Sequence, residues 1–183
     1  MPFTDVLPTD WFFEYTHCLW CRGAISGYAD HTFRPYNWTT RGQMTKVVVL
    51  AFGYQTHLPS APTFNDVPTD HPFYQYVETA AFYDIVDGYD DGSFHPSNPV
   101  TRGQLCKITA NGARWALINP QIPTFSDVPP GSAFYNYVET AYCHQIIDGY
   151  DGGVFLPYNW ATRAQICKIV CQATRALASC VVP

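Results

Sequence analysis

Residues 88–104 read Gly88-Tyr89-Asp90-Asp91-Gly92-Ser93-Phe94-His95-Pro96, then four further residues, then Thr101-Arg102-Gly103-Gln104. Related sequences lie 61 residues earlier and 61 residues later in this 183-residue chain. The counterparts are Gly27-Tyr28 and Gly149-Tyr150 for the first part, and Thr40-Arg41 and Thr162-Arg163 for the second. A constant offset over separate motifs indicates an internal repeat. We therefore divide the chain into repeats 1–61, 62–122 and 123–183, which together are expected to form one domain, 1–183.

Each repeat is predicted to fold as helix, turn, helix. In the second repeat the apolar residues from Phe73 to Ile85 have helical spacing, which predicts the first helix. Thr101 and Gln104 form a capping box, which predicts the start of the second helix, and the same box occurs at Thr40 and Thr162. One helix pair of this size cannot bury its apolar face alone. The sequence therefore predicts a mainly α fold whose three repeats share one core around a pseudo-threefold axis.

Composition limits the class of protein. The chain is 47% hydrophobic and 14% charged, whereas a disordered chain has low hydrophobicity and high charge. The longest clear apolar run, Val47 to Phe52, is far shorter than the roughly 20 residues that span a membrane. A net charge of −5 without a run of Lys or Arg argues against nucleic-acid binding. No signal peptide opens the sequence, so we expect prior cleavage, another export route or an intracellular protein.

The order of these motifs resembles the S-layer homology family: Phe-x-Asp-Val, an aromatic-rich helix, Gly-Tyr-x-Asp-Gly-x-Phe-x-Pro and Thr-Arg-x-Gln. The resemblance covers all three repeats. The family usually has Glu where this chain has Gln43, Gln104 and Gln165, which keeps the cap and removes a charge. The Trp usual in the first helix occurs only as Trp11.

The resemblance implies a fold and a ligand. Three such motifs form a trefoil-like unit with a central three-helix bundle, and the grooves between motifs bind secondary cell-wall polysaccharide. Residues that match the family's groove positions are the Thr-Arg arginines, the aspartates of Phe-x-Asp-Val and the Gly-Tyr turns. They are Arg41, Arg102, Arg163, Asp5, Asp66, Asp127, Gly27, Gly88, Gly149, Tyr28, Tyr89 and Tyr150.

The arginine of each Thr-Arg pair is the main candidate for binding. An Arg in the first turn of a helix is unfavourable for the helix dipole, yet all three repeats place one there. One interpretation is that its guanidinium, beside free backbone N–H groups, forms a site for a carboxylate. The other is that each Arg pairs with the Asp of Phe-x-Asp-Val and holds two repeats together. The sequence leaves both open.

Aromatic residues supply further candidates. Trp38 and Trp160 occupy matching positions just before a capping box, so we expect them beside the arginine as platforms for sugar rings. Packing is the alternative, because aromatic side chains dominate core burial. For Phe73 and Tyr76 we expect the core.

Seven cysteines favour disulfides if the protein is exported. Cys143–Cys167 would join the two helices of the third repeat, and Cys171–Cys180 would hold the C-terminal tail. Buried reduced cysteine is the alternative, and the odd number leaves at least one thiol free or paired between chains. The sequence His17-Cys18-x-x-Cys21 lacks a second cysteine pair, so we predict no metal site and no cofactor.

Two functions are predicted. The first is a non-catalytic module that binds an acidic polysaccharide in the grooves and anchors a protein outside the cell, at the bacterial surface. The second is a homo-oligomeric or polymeric subunit that assembles into an extracellular layer, tube or filament, since low charge and an odd cysteine suit self-association. An enzyme is not expected, and Glu78 and Glu139 are expected on exposed helix faces. The chain is also compatible with a piece of a longer protein.

Overall fold

The computed structural model describes residues 1–176. Its six helices are α1 (Phe13–Cys21), α2 (Arg41–Ala51), α3 (Tyr74–Phe82), α4 (Arg102–Gly112), α5 (Tyr135–Cys143) and α6 (Arg163–Arg175). Within this part of the chain β structure is limited to isolated bridges. Two helices fall in each repeat, so the predicted mainly α content is confirmed.

The second helix of each repeat begins at the predicted capping box. The Thr101 hydroxyl accepts a hydrogen bond from the Gln104 N–H, and the Gln104 side chain accepts one from the Thr101 N–H. The boxes at Thr40 and Thr162 make the same two bonds. Each box satisfies backbone donors that a helix start would leave without partners, which fixes where the helix begins.

Each first helix packs against the second helix of another repeat. α3 contacts α2, α5 contacts α4, and α1 contacts α6. The second helices α2, α4 and α6 also contact one another, and their buried side chains include Met44, Leu105 and Ile166. The contacts follow a cyclic order in which the third repeat returns to the first, so all three repeats contribute to a single core.

Backbone hydrogen bonds close the same cycle just before the second helices. The Val100 N–H donates to the Thr39 carbonyl at 2.9 Å, and the Ala161 N–H donates to the Val100 carbonyl at 2.9 Å. The Thr39 N–H donates to the Ala161 carbonyl at 3.1 Å and completes the ring. All three residues are buried. The position before each capping threonine is therefore where the three repeats meet.

The structure contradicts both disulfide pairings expected from sequence. Cys18 of α1 is bonded to Cys171 of α6, with a Cα–Cα distance of 6.3 Å, so Cys171 does not pair with Cys180, which lies outside the described residues. Cys167 is a buried free thiol, so it does not pair with Cys143. The reason is packing: α5 lies against α4 and α6 lies against α1, so the two helices of the third repeat are not the pair that a disulfide would join.

The two equivalent glutamates are buried, contrary to expectation. Glu78 and Glu139 are only 1% and 3% exposed. Glu78 accepts hydrogen bonds from the backbone N–H and the hydroxyl of Thr63 at 2.9 and 2.6 Å, and Glu139 does the same with Thr124. A buried carboxylate requires such partners. In repeats two and three, these glutamates therefore fasten the segment that enters the repeat to that repeat's first helix.

No helix within residues 1–176 is both long and apolar enough to cross a membrane. In the same residues, no three His, Cys, Asp or Glu side chains are grouped in a way that could hold a metal ion.

Candidate functional site

The described residues form three equivalent grooves where repeats meet. We name them by the arginine and the Gly-Tyr turn that face each other. Groove I lies between Arg41 and Gly88-Tyr89, groove II between Arg102 and Gly149-Tyr150, and groove III between Arg163 and Gly27-Tyr28. Their cavities measure about 160, 170 and 190 Å³, respectively.

Each arginine reaches from its own repeat to the backbone of the next. Arg41 Nε donates to the Phe94 carbonyl at 2.9 Å, and Nη2 donates to the Asp87 carbonyl at 3.1 Å. Arg102 and Arg163 make the corresponding bonds in grooves II and III. The arginines therefore join repeats, as one interpretation of the sequence holds, but they bind carbonyl groups and not the aspartate carboxylates. These bonds leave Nη1 of each guanidinium for another acceptor.

The aspartates of Phe-x-Asp-Val act inside their own repeats. Both carboxylate oxygens of Asp66 accept backbone hydrogen bonds, from the Phe94 N–H and the His95 N–H, at 2.7 Å each. Asp5 and Asp127 bind the equivalent N–H groups. Since the carbonyl of the same Phe94 accepts from Arg41, the aspartate positions the backbone that the arginine binds.

The first-turn N–H groups beside the arginines are occupied, contrary to the carboxylate-site interpretation. The Arg41 N–H donates to the Asn98 carbonyl and the Gly42 N–H to the Pro96 carbonyl, both at 2.9 Å. The starts of α4 and α6 are bonded in the same way. A helix N-terminus attracts an anion through unpaired N–H groups, so recognition in these grooves depends on side chains.

The Gly-Tyr turn forms one wall of each groove. A Cβ atom at Gly88 would lie 2.5 Å from the Phe64 ring and 2.8 Å from the Ser93 carbonyl oxygen, so the position has room only for glycine. The next residue, Tyr89, is 42% exposed, and the Arg41 guanidinium lies 5.1 Å from the centre of its ring. Tyr150 and Tyr28 have the same relation to Arg102 and Arg163. Each groove thus offers an open aromatic ring beside a cation.

Sequence reasoning missed three contributors to the grooves. A glutamine and a lysine of the second helix line each groove, as Gln104 and Lys107 do in groove I. Their signal was available, because both recur at the 61-residue offset. The third contributor comes from the remaining repeat: Phe134 in groove I, Trp11 in groove II and Phe73 in groove III. Phe73, which we expected in the core, is thus partly buried at a groove wall, and each groove contains residues from all three repeats.

Trp38 and Trp160 lie elsewhere. Their rings contact each other edge to face, with centres 4.3 Å apart, and they flank the ring of backbone hydrogen bonds at Thr39 and Ala161. Neither residue lines groove I, II or III. The expectation that they stand beside the arginines is therefore not met. Both are about half exposed, and we call this pair of tryptophans the aromatic cap.

Comparison with known proteins identifies two of the repeats. The family model of the S-layer homology domain matches residues 63–106 and 124–167. The chain is 28% identical over 176 residues to an endoglucanase of Bacillus sp. (strain KSM-635), which covers 92% of this chain and 18% of the relative. It is 25% identical over 157 residues to cell surface glycoprotein 1 of Acetivibrio thermocellus, which covers 75% of this chain and 7% of the relative.

A third relative is the middle cell wall protein of Brevibacillus brevis, 26% identical over 116 residues that cover 63% of this chain and 10% of the relative. The chain spans less than a fifth of the length of these three curated relatives. Their names therefore describe proteins of which the shared region is a minor part. What the family match identifies is a pair of S-layer homology motifs in this chain, at residues 63–106 and 124–167.

Proposed function

We propose that this chain is a non-catalytic module that binds an acidic cell-wall polysaccharide in grooves I to III and thereby holds a protein at the bacterial surface. The observation that carries the proposal is the recurrence of one set of groups in every groove: a guanidinium, an open tyrosine ring, a glutamine and a lysine. Aromatic rings stack on sugars, and cations bind carboxylates. The names of the relatives, a cell surface glycoprotein and a cell wall protein among them, support the same location.

The proposal includes residues 1–61 as a third S-layer homology motif, related to the others by pseudo-threefold symmetry. Repeat one makes the characteristic bonds of the other two. Asp5 accepts from the N–H groups of Phe33 and Arg34 at 2.6 and 2.7 Å, and Thr40 begins α2 with a complete capping box. Without repeat one, groove III would lose its Gly-Tyr turn and groove II would lose Trp11.

The experiment should change the tyrosines and leave the arginines in place. Arg41 and Arg102 are only 7% and 6% exposed and each holds two carbonyls of the next repeat, so their loss would also disturb the fold. We therefore choose the triple variant Tyr28→Ala, Tyr89→Ala and Tyr150→Ala. The control is the double variant Tyr36→Ala and Tyr158→Ala. These two tyrosines lie outside the grooves and are more exposed than the groove tyrosines.

Binding is measured by calorimetry with a purified cell-wall polysaccharide and with the same polysaccharide after reduction of its carboxyl groups. We expect binding to the acidic form, weakening at high salt because charges are screened, and loss of binding in the triple variant only. No binding of either form, or equal binding by the triple variant and the control, would refute the proposal.

The aromatic cap favours a second candidate function, self-assembly into a surface structure. Trp38 and Trp160 are 56% and 48% exposed and lie in contact with each other. Paired exposed tryptophans of this kind are typical of interaction surfaces. Sedimentation velocity over a range of protein concentrations tests this candidate. A concentration-dependent oligomer that is lost in Trp38→Ser with Trp160→Ser would support it, and a monomer at high concentration would contradict it.

A further inference from the structure

The three grooves differ in charge at one position. The residue just before the Gly-Tyr glycine is Asp87 in groove I and Asp148 in groove II, whereas groove III has Ser26. All three positions are exposed and line their grooves. In each groove the carbonyl of this residue accepts from the arginine, so the substitution changes the side chain and leaves the shared backbone contact unchanged.

In grooves I and II the aspartate neutralises the groove lysine. Lys107 Nζ lies 2.9 Å from Asp87 Oδ2, and Lys168 Nζ lies 2.8 Å from Asp148 Oδ2. The charged side chains that line either groove are then one arginine, one lysine and one aspartate. An anion entering either groove would compete with the aspartate carboxylate that already forms an ion pair with the lysine.

Groove III lacks this competitor. Its lysine, Lys46, forms no ion pair with any residue of the described part of the chain, and its Nζ lies 5.5 Å from the centre of the Tyr76 ring. The charged residues that line groove III are Arg163 and Lys46, without an acid. Two like charges at the wall of a partly enclosed groove create a positive potential that an anion relieves.

The groove III arginine is also the most accessible of the three. Arg41 and Arg102 are buried, whereas Arg163 is partly exposed. A third cation near groove III, Arg34, lies 4.0 Å from the centre of the Tyr28 ring. Its ion pair with Asp30, at 2.9 Å, means that it adds little net charge. One aspartate of the Phe-x-Asp-Val motif lies beside every groove, so this residue does not make the grooves differ in charge.

We propose that groove III is the carboxylate subsite of this chain, specified by Ser26 and the unpaired Lys46, and that grooves I and II hold neutral parts of the ligand. The assignment rests on the proposed polysaccharide function and adds to it that the three grooves bind different parts of the ligand. Carboxylate is the chemistry recognised, whether it belongs to an acidic sugar or to a free organic acid.

The test exchanges the deciding residue between grooves. Backbone amide NMR spectra are recorded during titration with sodium pyruvate, and separately with an oligosaccharide fragment of the acidic cell-wall polysaccharide. Variant Ser26→Asp introduces the competing carboxylate into groove III, and Asp87→Ser removes it from groove I. Lys46→Gln and Lys107→Gln are a matched pair, since only Lys46 is unpaired. Amide shifts outside the grooves report whether each variant keeps its fold.

Both ligands are expected to shift the amides around Tyr28 and Lys46 at lower concentration than those around Tyr89 and Lys107. A new carboxylate next to the ligand should weaken groove III binding about tenfold in Ser26→Asp. Asp87→Ser should raise the affinity of groove I toward that of groove III, and Lys46→Gln should weaken pyruvate binding more than Lys107→Gln does.

The two proposals fail in different ways. Equal pyruvate affinity in the three grooves, or Ser26→Asp without effect, would overturn the groove III assignment even if the polysaccharide binds. Pyruvate binding confined to groove III, together with no response to the oligosaccharide in any groove, would overturn the polysaccharide function and support groove III as a carboxylate subsite.

Discussion

At the residue scale, the peptide groups of Phe94 show how one position serves two repeats. Its N–H donates to Asp66 of the same repeat, and its carbonyl accepts from Arg41 of the preceding repeat. Charged groups make stronger hydrogen bonds than neutral ones, so the segment is fixed from both sides. The Arg41 guanidinium that binds the Phe94 carbonyl also lies 5.1 Å from the centre of the Tyr89 ring.

Asp66→Asn tests the importance of that aspartate. An amide cannot accept both backbone hydrogen bonds with a carboxylate's strength, so we expect a loss of about 2 kcal/mol in the free energy of unfolding, measured by urea denaturation. The control is Asp90→Asn, an exposed aspartate of the Gly-Tyr turn in the same repeat, for which a change within about 0.5 kcal/mol is expected. Equal effects of the two substitutions would contradict the role given to Asp66.

The buried thiols give a second prediction at this scale. Burial raises the pKa of Cys106 and of Cys167 to about 12, and the thiolate is the reactive form. At pH 8 we expect iodoacetamide to modify the exposed Cys21 in the native protein, and Cys106 and Cys167 only after unfolding. Peptide mass spectrometry distinguishes the sites. Native labelling of Cys167 as fast as Cys21 would contradict the structure.

The same raised pKa values predict how stability depends on pH. Above the ordinary thiol pKa of 9.0, the unfolded chain loses protons that the folded chain keeps. The contribution of these thiols to stability is therefore complete below pH 9 and decreases as the pH rises toward 12. Urea denaturation of Cys106→Ala and of the parent chain at pH 8 and pH 10 should show a smaller pH dependence in the variant.

At the element scale, the capping boxes decide where the second helices begin, and the helix starts carry the groove arginines. The Thr101 hydroxyl is the acceptor in the box of α4. Thr101→Ala should lower the free energy of unfolding by about 1 kcal/mol, whereas Thr101→Ser keeps the hydroxyl and should lose much less. Chemical denaturation of both variants measures the difference. If serine were as damaging as alanine, the methyl group and not the cap would be responsible.

At the scale of the whole molecule, the third junction differs from the other two. Repeats one and two, and repeats two and three, are joined by connectors whose backbone bonds to a first-helix threonine: His57 N–H to Thr79 and Ile118 N–H to Thr140. The equivalent position in α1 is Cys18, and it forms the disulfide to α6. The disulfide thus joins α1 to α6 and closes the cycle at the junction between repeats three and one.

Removal of that disulfide should weaken the closing junction first. For Cys18→Ser with Cys171→Ser we expect a loss of about 2–4 kcal/mol in the free energy of unfolding. Amide hydrogen exchange should become faster in α1 and α6 before it does in α2 and α3. The control is Cys21→Ser, which removes an exposed thiol of the same helix. Uniformly faster exchange in all helices would show that the disulfide has no special role at this junction.

Local patterns determined the repeats and the helix starts of this protein. A capping box involves residues three apart, and apolar periodicity involves one helix, so both can be read from the sequence without knowledge of the rest of the chain. The 61-residue offset likewise indicated that Arg41, Arg102 and Arg163 have equivalent surroundings. The family resemblance assigned the Gly-Tyr turns to groove walls, and in the structure each turn lines a groove together with one of the arginines.

Only the tertiary structure decided which copies of these elements meet. Helices pack on other repeats, so Cys18 pairs with Cys171 and Cys167 stays reduced. Phe134 reaches a groove formed by the other two repeats. The repeats have nearly equivalent helix faces. Sequence spacing therefore cannot show whether the two helices of one repeat pack on each other or whether each first helix packs on the second helix of another repeat. Which helices pack together depends on burying the apolar faces of all three repeats at once. That burial is a property of the assembled core and not of any single segment.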